Sequence, residues 1–499
     1  MVSRSEQELV RFSKLEILRK SGYPFPNDVK ITSTSKDILE ATPEPDPGNL
    51  LPITKPYLET AGRIVALRQM GKAAFVHILD GVGKFQAYVK LDQVGVESYD
   101  LFKEFDIGDI IEVKGYSFVT KTGEKSLWTK TIRLLTKCLI PLPEKWHGLT
   151  DVEIRYRNRY VDLISNADVR DTFRKRAQII TEIRNFLDQK GFLEVETPVL
   201  HSVAGGADAK PFKTHHNALG VDMNLRIALE LPLKKLLVGG FERVYEIGRV
   251  FRNEGISTKH NPEFTMLEFY MAYATFEDLM NLTEDLFERL LLKVCGSLKI
   301  KFGDKEIDFA RPWKRLSMLE SIHEIGGVSK EFDLDTLDGI HQAAAKYKVD
   351  LEEKEDWGRS LMSLWDELVE NKIINPTFIT HHPFSISPLA RVNQKDSKIT
   401  DRFEMIVCGM EACNAFSELN DAVDQRERFE SQARRKEAGD EEANEVDEDF
   451  LRAIEYGLPP TAGQGIGIDR LIMLLTNSQS IRDVILFPTL KPIIESEPI

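Results

Sequence analysis

Hydrophobic and polar positions divide the chain into stretches of different period. Between residues 5 and 20, Leu9, Phe12, Leu15 and Leu18 recur at a spacing near three with charges between them, which predicts one amphipathic helix. Gly22, Pro24 and Pro26 stop it, and residues 42–48, rich in proline, read as an extended connector. From 57 to 140 the pattern shortens to β runs at 61–67, 74–79, 85–90, 110–114 and 126–135, separated by turns such as Asp80-Gly81-Val82-Gly83. Five such strands in under ~100 residues suit a small closed barrel of the OB type, a fold that commonly binds single-stranded nucleic acid. Helical period returns over 167–190, with Phe173, Ile180, Ile183 and Leu187 inward and Gly191 at the C′ position. A strand over 192–198 follows.

The next stretch alternates with period 2. Tyr245, Ile247, Arg249 and Phe251 lead into a polar loop, and Phe264, Met266, Glu268 and Tyr270 lead out of it. The returning strand therefore carries Phe264, Glu268 and Tyr270 on one face. The loop holds Glu254, Lys259, His260 and Asn261. Cations, carboxylates and an aromatic face beside a buried hairpin suit a nucleoside triphosphate better than a structural turn. Glu230, inside the apolar run 225–231, is costly as an ionised group unless it has a protein cation or receives a ligand cation. Beyond a helix at 277–295, residues 335–375 read as a helical insertion with Leu361, Leu364, Trp365 and Leu368 inward and no assigned chemistry. Over 402–421 the alternation puts Asn414, Phe416 and Glu418 on one face. Glu404 and Glu411 straddle Gly409 at an odd separation, so a bend is required before both can reach one metal. Residues 424–449 read as an exposed charged helix and acidic loop. Gly463-Gln464-Gly465-Ile466-Gly467 then reads as a glycine-rich strand running into a helix that carries Arg470.

Composition narrows the classes. A length of 499 residues implies two or three domains. The net charge of −14 argues against a generic nucleic-acid coat, yet residues 51–147 hold 14 Lys/Arg against 11 Asp/Glu and leave room for a local basic face. Cys138, Cys295, Cys408 and Cys413 are scattered, which predicts reduced thiols and neither zinc nor a disulfide framework. The N-terminus has no apolar signal region, and no run approaches the ~18 apolar residues of a membrane span. The expectation is a soluble cytoplasmic protein without a membrane partner.

Read as one string, Arg252-Asn253-Glu254 followed by His260-Asn261-Pro262-Glu263-Phe264 resembles motif 2 of class II aminoacyl-tRNA synthetases, in the form typical of the lysyl-tRNA synthetase family. Residues of about 177–198 resemble motif 1, about 244–271 motif 2 and about 463–476 motif 3, in family order behind the barrel. The resemblance implies an α+β chain: an N-terminal helix and linker (1–56), an OB-type anticodon-binding barrel (57–145), a hinge (146–166) and a class II catalytic domain with an antiparallel sheet flanked by helices (167–499). Three arginines in the hinge, Arg155, Arg157 and Arg159, either touch tRNA backbone or form a solvated charge run.

The implied reaction activates L-lysine with ATP and transfers it to tRNA(Lys). The family pattern gives Arg252 the α-phosphate and Arg470 the γ-phosphate. Glu254, His260, Asn261 and Glu404 order the nucleotide, and Phe264 stacks under adenine. Glu404 and Glu411 hold Mg²⁺, whose preference for hard oxygen ligands suits them better than zinc. Lysine falls to Glu230 and Glu418 at the side-chain ammonium, Glu268 near the α-amino group, and Gly206, Tyr270, Asn414 and Phe416 around the rest. Arg68, Phe75, Gln86 and Glu124 fall where the family reads its anticodon. Motif 1 implies a homodimer. The chain departs from many relatives at Leu229-Glu230-Leu231-Pro232 and Ala412-Cys413-Asn414-Ala415, which bears on tolerance of lysine analogues. Rival readings are an aspartyl or asparaginyl synthetase, a non-catalytic RNA-binding paralogue and an enzyme that lysylates protein. The first conflicts with acidic Glu230 and Glu418, the second with retained arginines and glutamates, the third with the barrel.

Overall fold

The structure is a computed structural model that describes residues 4–20, 22, 25–42, 44, 56–143, 149, 151–351, 356–439 and 443–492. Most of the proline-rich connector, and Trp146, His147 and Gly148 at the start of the expected hinge, lie outside those residues. The chain forms two compact units, Met1–Thr150 and Asp151–Ile499.

In the first unit the expected helix spans Glu6–Lys20 and buries Leu15 and Leu18, while Leu9 stays exposed. A second helix, Ser35–Ala41, was not legible in the periodicity because it is only two turns long. A capping box between Thr34 and Asp37 starts it, and Ile38 anchors it to the barrel core. The barrel closes from Leu58–Met70, Ala73–Leu79, Lys84–Lys90, Lys125–Thr136 and Ile110–Val119, in that spatial order. Alternation sorts its residues: Ala74, Val76 and Ile78 fill the interior, and Phe75 and His77 point outward.

The second unit is built on an eight-stranded sheet. Its order is Lys314–Ser317, Thr377–Thr380, Arg402–Val407, Met410–Ser417, Thr461–Gly467, Glu263–Ala272, Arg243–Phe251 and Leu193–Glu194. The pairing is antiparallel except at the two edges, where the outermost strands run parallel to their neighbours. One face buries Leu267, Phe269, Phe403, Ala415 and Ile466 against apolar side chains of helices Ala167–Gln189, Phe276–Leu290 and Ile468–Thr476. The long helix uses Ile179, Ile183, Phe186 and Leu187, with Phe173 and Ile180 only half-buried. Gly191 ends it at φ +81°. The opposite face is left open, and the site forms there.

Three expectations change. The strand over 192–198 shrinks to Leu193–Glu194, the two residues in ladder register with the edge of Arg243–Phe251; beyond them Val195 N–H still donates to the Tyr245 carbonyl and Thr197 N–H turns to the Glu246 side chain. The stretch around Arg155, Arg157 and Arg159 forms two short helices, Val152–Arg157 and Arg159–Ser165. Arg159 is 1% exposed, pairs with Asp162 and donates to the carbonyls of Arg482 and Leu486. Arg155 also pairs with Asp162, and Arg157 with Glu153. A guanidinium carries five donors, enough to gather carbonyl groups that water cannot reach, so Arg159 is neither solvated nor free for tRNA. Finally, the charged helix Ala422–Glu437 is exposed on one side only and buries Gln425, Arg428, Phe429 and Gln432 on the other.

Candidate functional site

The site starts from strand register. Across the sheet, Glu268 stands opposite Gly465, Gly465 opposite Asn414 and Asn414 opposite Glu404. The next row runs Tyr270, Gly463, Phe416, Arg402. The middle strand thus offers hydrogen where its neighbours offer side chains, and a trough opens between Glu268 and Tyr270 on one bank and Asn414 and Phe416 on the other. A methyl group at Gly463 would run into Glu418 Oε1 and the Tyr270 ring. A cavity of about 400 Å³ lies over this floor. It is lined by Gly206, Glu230, Arg252, Glu254, His260, Asn261, Phe264, Glu268, Tyr270, Glu411, Asn414, Phe416 and Arg470. Glu404 and Glu418 do not reach its wall.

One end of the cavity is cationic. The Arg252 guanidinium sits 5.3 Å from the Phe264 ring centre, and its Nε is 3.3 Å from the Ile227 carbonyl. Arg470 donates to the Glu411 carbonyl at 3.0 Å and meets its carboxylate at 3.3 Å. The same guanidinium lies 3.2 Å from His260 Nε2. Arginine cannot accept, so Nε2 is the unprotonated nitrogen, and Nδ1 faces Ser257 Oγ at 2.9 Å. Burial, then Arg470, Lys259 and Arg252, hold His260 below its ordinary pKa, which agrees with a neutral ring. Asn261 braces the loop, donating to the Glu263 carbonyl at 2.7 Å and accepting from the Thr489 N–H at 3.3 Å.

The bend required between Glu404 and Glu411 is a β-bulge. Met405 pairs with Cys413 but Ile406 pairs with Glu411, so Ala412 is the extra residue that turns Glu411 toward the cavity. Glu404 accepts from Arg402 at 2.5 Å. Among the described residues no group of three or more His, Cys, Asp or Glu gathers as a metal cluster. Two carboxylates on adjacent strands suit an ion that completes its shell with water and phosphate, as Mg²⁺ does. The helical insertion, given no chemistry from sequence, brings two more carboxylates close. Burial, then Glu370 and Glu404, push Asp366 up to about 7, and burial also raises Glu370.

The other end is anionic. Glu230 opens helix Glu230–Val238, where the third-position Pro232 has no helical N–H partner to lose. Of the two options left open for Glu230, the structure supplies the protein cation. Lys234, one turn on, lies 2.5 Å from Glu230 Oε1 and is also ion-paired to Glu418 Oε2. Glu418 is 1% exposed, and its Oε1 has no hydrogen-bond partner among the described residues. Burial pushes its carboxyl well above the ordinary range against the pull of Lys234. Glu268 accepts from the Leu229 N–H at 2.9 Å and the Tyr270 hydroxyl at 3.0 Å. Burial, then Glu230, push it up to about 7. Gly206, at φ +90°, borders Glu230, and its loop is tied down by Asn444 on the Ala207 carbonyl at 2.7 Å and Gln432 on Asp208 at 3.1 Å.

Sequence reasoning missed Lys234, Asn444, Gln432 and Asp366. Only Lys234 left a signal, the i,i+4 spacing from Glu230.

On the barrel, Arg68 stands opposite Phe75 and Phe75 opposite Tyr88, in adjoining strands. Phe75 packs 4.9 Å from Tyr88, which continues into Phe118 and Trp128. Gln86 donates to Glu124 at 2.8 Å and accepts from Ser126 at 2.9 Å, and His77 approaches Glu124 at 3.3 Å. One side of the barrel therefore joins an outward aromatic face and an exposed carboxylate to the buried amide of Gln86, group types that stack on and read an unpaired base.

Comparison with known proteins agrees with this geometry. Residues 151–491 match the family of class II tRNA synthetases (D, K and N), and residues 59–135 match an OB-fold nucleic acid binding domain. The chain is 52% identical to a lysine–tRNA ligase of Carboxydothermus hydrogenoformans, over 97% of each. It is 52% identical to one of Pelotomaculum thermopropionicum, over 97% of this chain and 94% of that protein. Identity to one of Enterococcus faecalis is 50%, over 98% of each. With motifs 2 and 3 on one trough, an OB barrel ahead of them and relatives matched end to end, the chain belongs to the lysine–tRNA ligase family of class II synthetases.

Proposed function

We propose that this chain ligates L-lysine to tRNA(Lys) in protein synthesis, through a lysyl-adenylate formed in the cavity over the glycine row. The lysine carboxylate attacks the α-phosphate of ATP and pyrophosphate leaves. The terminal adenosine of tRNA then takes the lysyl group at a ribose hydroxyl and releases AMP. Such chemistry needs placement and charge neutralisation more than a protein base. Arg252 holds the α-phosphate and the charge that develops there, and Arg470 the γ-phosphate. Phe264 stacks on adenine, while Glu254, His260 and Asn261 fix the nucleotide loop. Glu404 and Glu411 hold Mg²⁺, which supplies positive charge at the phosphates when ATP is bound.

The observation that carries the assignment of lysine is the unpartnered, buried Glu418 Oε1, which lies directly behind Gly463 of the cavity lining, so that a methyl group there would strike it. A buried acceptor without a donor is costly and calls for a ligand cation. Glu418 and Glu230 take the side-chain ammonium, Glu268 the α-ammonium, and Tyr270, Asn414, Phe416 and the Gly206 backbone the stem. Aspartate or asparagine has no cation to offer there. On the barrel, Arg68, Phe75, Gln86 and Glu124 read the anticodon. A homodimer through motif 1 is supported by apolar side chains left exposed on it and directly after it: Leu193 (47%), Val199 (39%) and Leu200 (42%). Among the described residues no helix is long and apolar enough to cross a membrane, and we place the enzyme in the cytoplasm.

Pyrophosphate exchange with each amino acid, followed by charging of tRNA, tests the proposal. Lysine alone is expected to support rapid exchange. Exchange with aspartate or asparagine, or none with lysine in folded, Mg²⁺-loaded protein, refutes it.

A further inference from the structure

A fully buried lysine stands where the substrate's own ammonium has to be recognised. Lys234 has no exposed surface, and its Nζ joins Glu230 Oε1 to Glu418 Oε2. Its ammonium lies 5.5 Å from the Phe416 ring centre and 6.0 Å from that of Phe450, so two aromatic faces border the same point. The charged groups that act on it are Glu230 on its own helix and Glu418 after strand Met410–Ser417, and those two carboxylates in turn face Glu268 and Tyr270 on the returning hairpin strand. Without Lys234, three buried carboxylates would share one end of the cavity with no resident cation.

We infer that Lys234 is a positioning residue for lysine recognition: its ammonium balances Glu230 and Glu418, fixes both carboxylates, and leaves Glu418 Oε1 as the acceptor for one further ammonium. The inference rests on the placement of the substrate ammonium at Glu418. Burial alone would push Lys234 down, but Glu230 and Glu418 outweigh it and hold the group above its ordinary value. The resident charge is therefore present whenever the enzyme works. Removing it leaves carboxylates that take up protons at neutral pH, because like charges in a buried site do not stay ionised together. A protonated Glu418 cannot receive the substrate ammonium, so lysine binding then gains a pH dependence above pH 8, where the parent, with Glu268 already ionised, is flat.

Lys234→Met keeps the apolar bulk and removes the charge. In pyrophosphate exchange it is expected to raise the lysine KM on the order of 100-fold at pH 7, the scale of breaking a buried pair, with the ATP KM unchanged. That elevated KM should fall as pH rises from 8 to 9, a window in which the parent KM is flat. A parent-like KM and pH profile in Lys234→Met overturns the inference. So does a KM raised equally at every pH, which marks a packing role. If Lys234→Met does not fold, Lys234→Arg decides: it retains the charge and must keep the parent's flat profile above pH 8, and a profile that slopes there overturns the inference. Glu418→Gln separates this question from the assignment of the pocket. A normal lysine KM in that variant refutes placement of the ammonium at Glu418, whereas an impaired Glu418→Gln beside an unaffected Lys234→Met refutes only the role of Lys234.

Discussion

Glu268 makes the amino-acid end of the cavity sensitive to pH within the working range. Its carboxyl is pushed from 4.5 up to about 7, first by burial and then by Glu230, against the Leu229 N–H and Tyr270 hydroxyl that favour the anion. The α-ammonium of lysine needs the ionised form, so a proton on Glu268 competes with the substrate. At pH 8 about 90% of the free enzyme carries the anion and at pH 6 about 10%, which gives an increase in lysine KM of about tenfold over that interval. The direction for stability is the reverse. A raised carboxyl pKa contributes stability that is fully present below 4.5 and lost as pH rises through about 7, a difference of about 3 kcal/mol for a buried group. Acid therefore firms the free site while it weakens lysine binding. The assay is pyrophosphate exchange against lysine concentration from pH 6 to 8.5 at saturating ATP and Mg²⁺. Glu268→Gln should show a high lysine KM at every pH, with the slope gone. A lysine KM that stays constant from pH 6 to 8 in the parent, or a slope that survives in Glu268→Gln, refutes the assignment of that titration to Glu268.

Three further outcomes test other parts of the site. Gly463→Ala inserts a methyl group into Glu418 Oε1 and the buried Tyr270 ring, and should raise the lysine KM by more than about tenfold while the ATP KM stays within about twofold; an equal rise in both would place the glycine row elsewhere in the chemistry. Phe75→Ala should weaken tRNA in the charging assay by about 5- to 150-fold, the worth of one stacked base, and leave exchange intact. Glu411→Gln should raise the Mg²⁺ requirement for exchange, measured by titrating the metal after chelation, and leave melting of the free protein unchanged within a degree or so.

The hairpin was legible because its evidence is local: period 2 alone puts Phe264, Glu268 and Tyr270 on one face, and register later showed the opposite bank. The glycine row was legible as a strand running into the helix of Arg470, but not as the floor of a trough. That its glycines hollow a trough depends on Tyr270 and Phe416 flanking Gly463, which single-strand periodicity does not contain. The bend before Glu411 was expected, but its place at Ala412 escaped for the same reason, since an extra residue is defined only against its partner strand. Arg159 was misread because three arginines at a spacing of two read as one cluster. In helices that spacing scatters the side chains, and Arg159 turned inward. The helix Ala422–Glu437 was read from its charge and not from Phe429 and Gln432, whose burial is set by the loop they cover.

That covering has a consequence for how the enzyme comes into being. Gln432 reaches Asp208 across 224 residues of chain, and Asn444 reaches Ala207 across 237. A nascent chain that has passed the hairpin already has Glu230 and Lys234 but not yet Glu418, and nothing secures the loop at Gly206. Closing contacts of that span is entropically expensive and comes late. Until Glu418 has been made, Lys234 waits for the second of its two carboxylate partners. A product truncated before Glu418 is accordingly expected to be both inactive and poorly packed at this end of the sheet.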